Sequence, residues 1–470
     1  FHSDSSGFFI DRINLATTGR VAGETDKISF NINNDGTIEA GLENSKFLHA
    51  VGSNNAFWST TLKSLLLSKV NFNPEKDDTL NGHILIDSLR LTDVNLKSNE
   101  KLSVVNLFSF NKELGLNISN LKMTTPKNNV SFSAIQYNAR EKKLLMYDFS
   151  VLPKIDRKEF NRNLDFQTDY IQMTGEKLVL SQFDPISLFS NNSSSRILSS
   201  KKADIFNFKL NVYKDKMLSF NKGLIKSLPS VLLQQLKLGL VIDSLQLDNA
   251  AVTYEEVNEK THKSAVVRFD NINALFENIN NHNPLSTDSL RLFATARFMD
   301  SAQIRLRFIE SYSDSLHGFY FAARARPFNL SILNPILEPL VSVRISGGRI
   351  DTLRMNAYAR EYLAHGKIKL FYHGLKGKYL PNGNEEKRTF SSRLINFAAN
   401  NFVIRRNNTD LLGQVYAERN RERSIFNYWI KMLVSGIVSS TGIQSNNKIE
   451  KKYNKSIKKL QLSDIPEVPL

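Results

Sequence analysis

The tetrapeptide Ile86-Asp87-Ser88-Leu89 returns as Ile242-Asp243-Ser244-Leu245 and, with Thr for Ser, as Ile350-Asp351-Thr352-Leu353. Looser copies are Asp288-Ser289-Leu290-Arg291-Leu292 and Ile10-Asp11-Arg12-Ile13-Asn14-Leu15. After the acid, apolar residues follow two apart: Leu89 and Leu91, Leu245 and Leu247, Leu353 and Met355. Side chains two apart share one face of a strand. The motif therefore reads as a strand-opening device used repeatedly. Its copies are irregularly spaced, which excludes a fixed-period solenoid and predicts a long repetitive sheet.

The same alternation recurs elsewhere. Ile28, Phe30 and Ile32 alternate with polar neighbours, as do Phe206, Phe208, Leu210 and Val212. Leu292, Ala294, Ala296 and Phe298 form another set. Ile304, Leu306 and Phe308 oppose Arg305 and Arg307, and Ile368, Leu370 and Tyr372 oppose Lys367 and Lys369. Each reads as a half-buried strand. Polar turns such as Asn33-Asn34-Asp35-Gly36 and Pro381-Asn382-Gly383-Asn384 separate the sets. The fold class is thus mainly β: a long, twisted antiparallel sheet with a few short helices.

Helical spacing is sparse. It predicts helices over 58–67, about 223–236 and 333–340, the last broken by Pro335 and Pro339. From Ser424 to 442 an apolar helix is interrupted by Asn427 and Lys431. It is too short to span a bilayer and suits either plugging the end of a sheet or lying on a membrane or partner. The organisation expected is a β region over 1–189, a Ser/Asn-rich loop over 190–202, a second β region over 203–423, the 424–442 helix, and a basic flexible tail over 443–470.

The 470 residues are 41% hydrophobic, enough to bury a core in more than one domain. Cysteine is absent, which excludes disulfides, thiolate metal sites and a cysteine nucleophile. The net charge of +16 is spread along the chain, apart from a cluster running from Lys448 to Lys459. A diffuse excess reads as a solvated face rather than a nucleic-acid stripe, so no nucleic-acid partner is expected. The chain begins at Phe1, so a leading segment is expected upstream; within the chain no apolar run reaches about eighteen residues.

Catalytic signatures are missing. There is no nucleophile elbow, His-Glu-x-x-His, phosphate-binding loop or dinucleotide fingerprint. His262, His317, His365 and His373 share no metal-ligand spacing and read as surface or turn residues. No cofactor, metal or catalytic residue is expected. The repeated Asp could belong to a carboxylate set, but beside Ser or Thr at a strand start it reads as a backbone-bonding residue that fixes an entry turn or bulge.

What remains is a large apolar sheet face, which must pack against a second layer or curl into a trough. Here the sequence resembles a known family. Leu330-Ser331-Ile332-Leu333-Asn334-Pro335-Ile336-Leu337-Glu338-Pro339-Leu340, then Val343-Arg344-Ile345-Ser346-Gly347-Gly348-Arg349-Ile350-Asp351, look like the C-terminal region of AsmA-like proteins. So do Ala399 to Asn407, Arg423 to Trp429, and Val241 to Glu256. The resemblance is clearest over 200–442.

It implies a repeating β-groove lipid-transfer protein of the Gram-negative periplasm, with an inner-membrane helix upstream of this chain and a sheet curled around an apolar groove. Phospholipid or another acyl lipid, the membrane and envelope proteins would be partners. Candidate groove liners are Leu89, Leu91, Phe206, Phe208, Leu210, Leu245, Leu247, Ile304, Leu306, Phe308, Leu353, Met355, Ile368 and Leu370. Arg305, Arg307, Lys367 and Lys369 could attract anionic headgroups. The alternatives are an internally packed structural factor for outer-membrane assembly, and an outer-membrane barrel; the polar tail that ends in Pro469-Leu470, where a barrel would have an aromatic strand, argues against the barrel.

Overall fold

The computed structural model describes residues 8–9, 12–18, 23–24, 27–32, 38–43, 46–47, 59–72, 83–97, 104–162, 164–189, 196–380, 405–463, 466 and 469–470. The two turns expected around 33–36 and 381–384, the loop residues 190–195 and the stretch 399–404 lie outside them. The chain is mainly β with a few short helices. It divides into two compact units, one of residues 1–154, 172–208 and 237–245, the other of 155–171, 209–236 and 246–470. None of the boundaries falls in the Ser/Asn-rich stretch, and two of them, after residues 171 and 245, lie inside strands.

In the first unit, β1 (Phe8–Phe9) and β2 (Arg12–Thr18) pair with β7 (Ser59–Phe72). The strands β3 (Gly23–Glu24) and β6 (Lys46–Phe47) pair separately, as do β4 (Lys27–Ile32) and β5 (Ile38–Glu43). From β7 the sheet is an antiparallel meander in chain order. It runs through β8 (His83–Lys97), β9 (Gly115–Thr124), β10 (Asn128–Asn138), β11 (Lys143–Pro153), β12 (Asp169–Ser181) and β13 (Ile197–Phe206). The helix expected over 58–67 is thus strand β7. Leu62, Leu65, Leu66 and Leu67 fit either period, and pairing on both sides decides for the strand.

Two short helices, α1 (Val104–Phe110) and α3 (Pro185–Leu188), belong to this unit. Leu107 and Phe108 of α1 pack on Val94 and Leu114, and the Phe108 ring meets Tyr137 and Phe189. Asp184 caps α3 by accepting from the Ile186 N–H at 2.9 Å.

The second unit includes α2 (Arg157–Arg162) and one parallel pairing, between β14 (Lys209–Asp215) and the second half of β15 (Gly239–Val257). The sheet is therefore mixed rather than wholly antiparallel. The alternating set from Phe206 to Val212 is split between β13 and β14 by Asn207, whose φ is +51°. An antiparallel meander follows: β16 (Ser264–Asn280), β17 (Ser289–Phe298), β18 (Ala302–Ser311), β19 (Phe319–Ala325), β21 (Val343–Ala359), β22 (Leu363–Tyr379) and β23 (Leu412–Glu418), with β20 (Phe328–Asn329) on β21.

The helix expected over 223–236 shortens to α4 (Pro229–Gln234). Pro229 starts a helix rather than continuing one, and it holds Leu228 extended at ψ 162°. As expected near 333–340, α5 spans Asn334–Val341, after a tight turn at Leu330–Leu333. The apolar segment after Ser424 is α6 (Ile425–Ser440). The expected flexible tail instead contains α7 (Asn446–Leu460). Ile449 and Tyr453 of α7, four apart, are buried, while Lys448, Lys451, Lys455, Lys458 and Lys459 are exposed.

These two helices clasp the end of the second unit's sheet. On the apolar face, α6 comes so close that a Cβ at Gly436 would lie 2.7 Å from Ile368 Cγ2, and one at Gly413 would lie 2.7 Å from the Gly436 carbonyl. Met432 and Tyr428 complete a core with Phe319, Phe321, Met355, Ile368 and Val415. On the opposite face, Tyr453 of α7 stacks on His365 at 4.1 Å, and Tyr416 Oη meets Ser456 Oγ at 2.7 Å.

Candidate lipid-binding face

In the first unit, register converts the tetrapeptide into a line that crosses the sheet. Leu67 pairs with Leu89, Leu89 with Ile118, Ile118 with Ile135, Ile135 with Met146, Met146 with Leu178, and Leu178 with Ile205. This apolar row spans seven strands. A second row lies three residues away on each strand: Val70, Ile86, Leu121 and Phe132 pair in turn, and Phe149 pairs with Gly175. The Phe149 ring stacks 6.3 Å from Phe208.

A spacing of three breaks the two-residue alternation, and every strand breaks at the same place. The residues in the gap form a polar seam: Lys69, Asp87, Asn120, Ser133, Asp148, Glu176 and Asn207. On alternate strands the seam residue is left-handed, with φ of +52° at Lys69, +48° at Asn120, +44° at Asp148 and +51° at Asn207. Asn and Asp tolerate that region better than other side chains. Asn120 Nδ2 donates to Asp87 Oδ2 at 2.8 Å, Ser133 Oγ donates to Asp148 Oδ2 at 2.8 Å, and Asn207 donates to Glu176.

Asp87 therefore does not open a strand. It stands inside β8 and bonds across to β9. Asp351 likewise lies inside β21, beside a register shift, and meets His373 Nδ1 at 2.8 Å. At Asp87 and Asp351 the expected backbone-bonding role is replaced by side-chain bonds across strands, whereas Asp288, just before β17, keeps it by accepting from the Leu285 N–H at 2.8 Å. In the first unit Asp87 marks a seam at which the strands change which side their alternate residues face.

The two units treat their apolar faces differently. Leu89, Ile118, Ile135, Met146, Leu178 and Ile205 are all only partly buried. In the second unit the corresponding surface is closed: Phe308 is 2% exposed, Met355 1%, Ile368 0% and Leu370 4%. These four expected groove liners belong to one core with Tyr428 and Met432 of α6, and Leu306 and Leu353 pack against that core.

Of the others, Leu89 lies in the first apolar row and Leu91 packs on Val94 and Leu114. Phe208 lies in the second row, while Phe206 pairs with Lys177 off both rows and Ile205 takes its place. Leu210, Leu245, Leu247 and Ile304 are partly buried. The row residues Ile118, Ile135, Met146 and Leu178 were not among the sequence candidates; the spacing of three in Ile118-Ser119-Asn120-Leu121 is their signal.

One carboxylate in the second unit is enclosed. Glu310 on β18 has no exposed surface and accepts from Ser230 N at 2.9 Å and Ser230 Oγ at 2.7 Å. Removal from water raises its pKa from the usual carboxylate range to about 7, against the lowering effect of those two donors and Arg419. Arg419, also buried, donates to Glu361 and to the Lys226 carbonyl. These contacts tie α4 and the segment after β23 to the sheet.

Among the described residues, no group of His, Cys, Asp or Glu is arranged to hold a metal ion, and no helix is long and apolar enough to cross a membrane. No protein-family model, no curated protein and no solved structure matches the chain.

Proposed function

We propose that this chain is a non-enzymatic lipid-binding protein that holds acyl chains against the apolar rows of its first unit and passes lipid along them. The observation that carries the reading is the row from Leu67 to Ile205, continuous across seven strands and half-buried on six of them. A soluble sheet ordinarily covers such a face with a second layer, and an amphiphile can do so instead. The seam supports a curved surface: left-handed residues inside strands bend them and increase their twist, as bulges do.

Each methylene removed from water contributes about 0.8 kcal/mol. A sixteen-carbon chain would then gain on the order of 10 kcal/mol before ordering costs. Such contacts are non-directional and nearly equal from one strand to the next, so a chain can slide without a large barrier. The resemblance to AsmA-like proteins adds the setting: a periplasmic protein of a Gram-negative envelope, anchored in the inner membrane and moving phospholipid towards the outer one.

The test is lipid transfer between vesicles by the full chain and by Ile118→Asp and Ile135→Asp. Transfer by the wild type, lost in both variants with folding intact, supports the reading. Equal transfer by all three overturns it. An internally packed structural factor is the second reading, favoured by the closed core of the second unit, where Ile368 and Met355 are at most 1% exposed.

A further inference from the structure

The polar face of the second unit carries cations on directly opposed positions. Arg305 on β18 pairs with Arg324 on β19, Arg324 with Arg354 on β21, and Arg354 with Lys369 on β22. Directly opposed side chains have Cβ atoms about 4.5–5.5 Å apart, and like charges there are destabilising. Ordinarily, interleaved carboxylates relieve such a row. Among the described residues, Arg305, Arg324 and Arg354 are all exposed and none has an ion pair.

They line a cleft of about 630 Å³ that Arg297 and Arg326 also border. Its one carboxylate, Asp351, is engaged by His373. Beside the row, Arg307 lies between the rings of Phe293 and Tyr320, 5.5 and 5.6 Å from their centroids. Farther along the same face, α7 is seated on His365 and exposes Lys451, Lys455, Lys458 and Lys459.

We propose that this cleft is an anion site for a phosphate-bearing ligand, with Arg305, Arg324 and Arg354 as its ligating residues. A guanidinium presents paired N–H donors matched to phosphate oxygens. Three of them on adjacent strands can bracket more than one phosphate, and a bound anion would offset the repulsion within the row. The site stands independently of the acyl face, on a different unit and on different chemistry.

The experiment uses the full chain and the triple variant Arg305→Gln/Arg324→Gln/Arg354→Gln. Inorganic pyrophosphate is titrated calorimetrically at constant ionic strength, and vesicles of phosphatidylglycerol or phosphatidylcholine are tested by flotation. The expected result is binding of pyrophosphate, of phosphatidylglycerol vesicles, or of both, weakened at least tenfold in the variant. The unliganded variant should melt no lower than the wild type. Pyrophosphate alone identifies a soluble phosphorylated ligand, and vesicles alone identify a headgroup at a membrane.

Binding that the variant retains, or no binding of either probe, overturns the proposal. So does an unliganded variant that melts lower, since the arginines would then serve the fold. Ile118→Asp should keep the anion response, which separates failure of this site from failure of the acyl face.

Discussion

Truncating one isoleucine in each unit separates an open apolar face from a closed one. Ile368 has no exposed surface and packs beneath Gly436 of α6. Ile368→Ala removes buried methylenes and leaves a void enclosed by helix and sheet, so both the transfer and the cavity contributions apply. About 3–4 kcal/mol is expected. Ile135 sits mid-row on β10 and is only partly buried. At a face open to solvent no enclosed void forms, and part of the side chain is already hydrated. Ile135→Ala should therefore cost about 1–1.5 kcal/mol in lipid-free protein. Hydrogen exchange read by mass spectrometry gives local opening free energies for β10 and β22 separately, which suits a chain of two units. Adding phospholipid should increase the Ile135→Ala cost and leave that of Ile368→Ala unchanged. Equal costs without lipid would refute the reasoning, because the first row would then be packed as tightly as the second unit's core.

Three further predictions concern the fold. Gly436→Val should destabilise the second unit by about 1–3 kcal/mol, because the added side chain meets Ile368 and Val415 at close range; a raised melting temperature would show that α6 has room to shift. At the seam, Asn120→Gly should be near neutral, whereas Asn120→Val should cost about 1–3 kcal/mol, because a β-branched residue resists φ of +48°; urea titration of both variants checks the difference. Glu310 carries a pKa raised to about 7. Its folded state therefore holds the proton more tightly than the unfolded chain, so its contribution is full below the ordinary carboxylate range and declines as pH rises to about 7. Glu310→Gln should abolish that decline, and a wild-type-minus-variant difference that stays constant from pH 4 to 8 would contradict it.

Much of the sheet was legible because alternation needs no knowledge of partners: Ile304 to Phe308 and Ile368 to Tyr372 lie on strands as read. The seam was half legible. The spacing of three from Ile86 to Leu89 is visible in one line of sequence, but the two-residue alternation that follows Leu89 is equally that of a strand start. Its meaning lies in register, since the neighbouring strands spell the same break as Ile118-Ser119-Asn120-Leu121 and Met146-Tyr147-Asp148-Phe149, which share few letters. The helix α7 was missed for a different reason. Ile449, Tyr453 and Ile457 keep helical spacing, but the surrounding lysines make the segment read as solvated tail until His365 and Tyr416 supply a surface for it. Which face stays open could not be read locally at all: Leu89 and Ile368 belong to equally apolar strands, and only the docking of α6 distinguishes them.

The most direct test of the central claim is native mass spectrometry of the full chain purified from membranes, followed by lipid extraction. The account predicts co-purifying phospholipid, displaced when Ile118 or Ile135 is replaced by Asp and retained when Asp87 is replaced by Ala. A folded wild-type chain that carries no lipid, and takes up none when phospholipid is supplied, would contradict it.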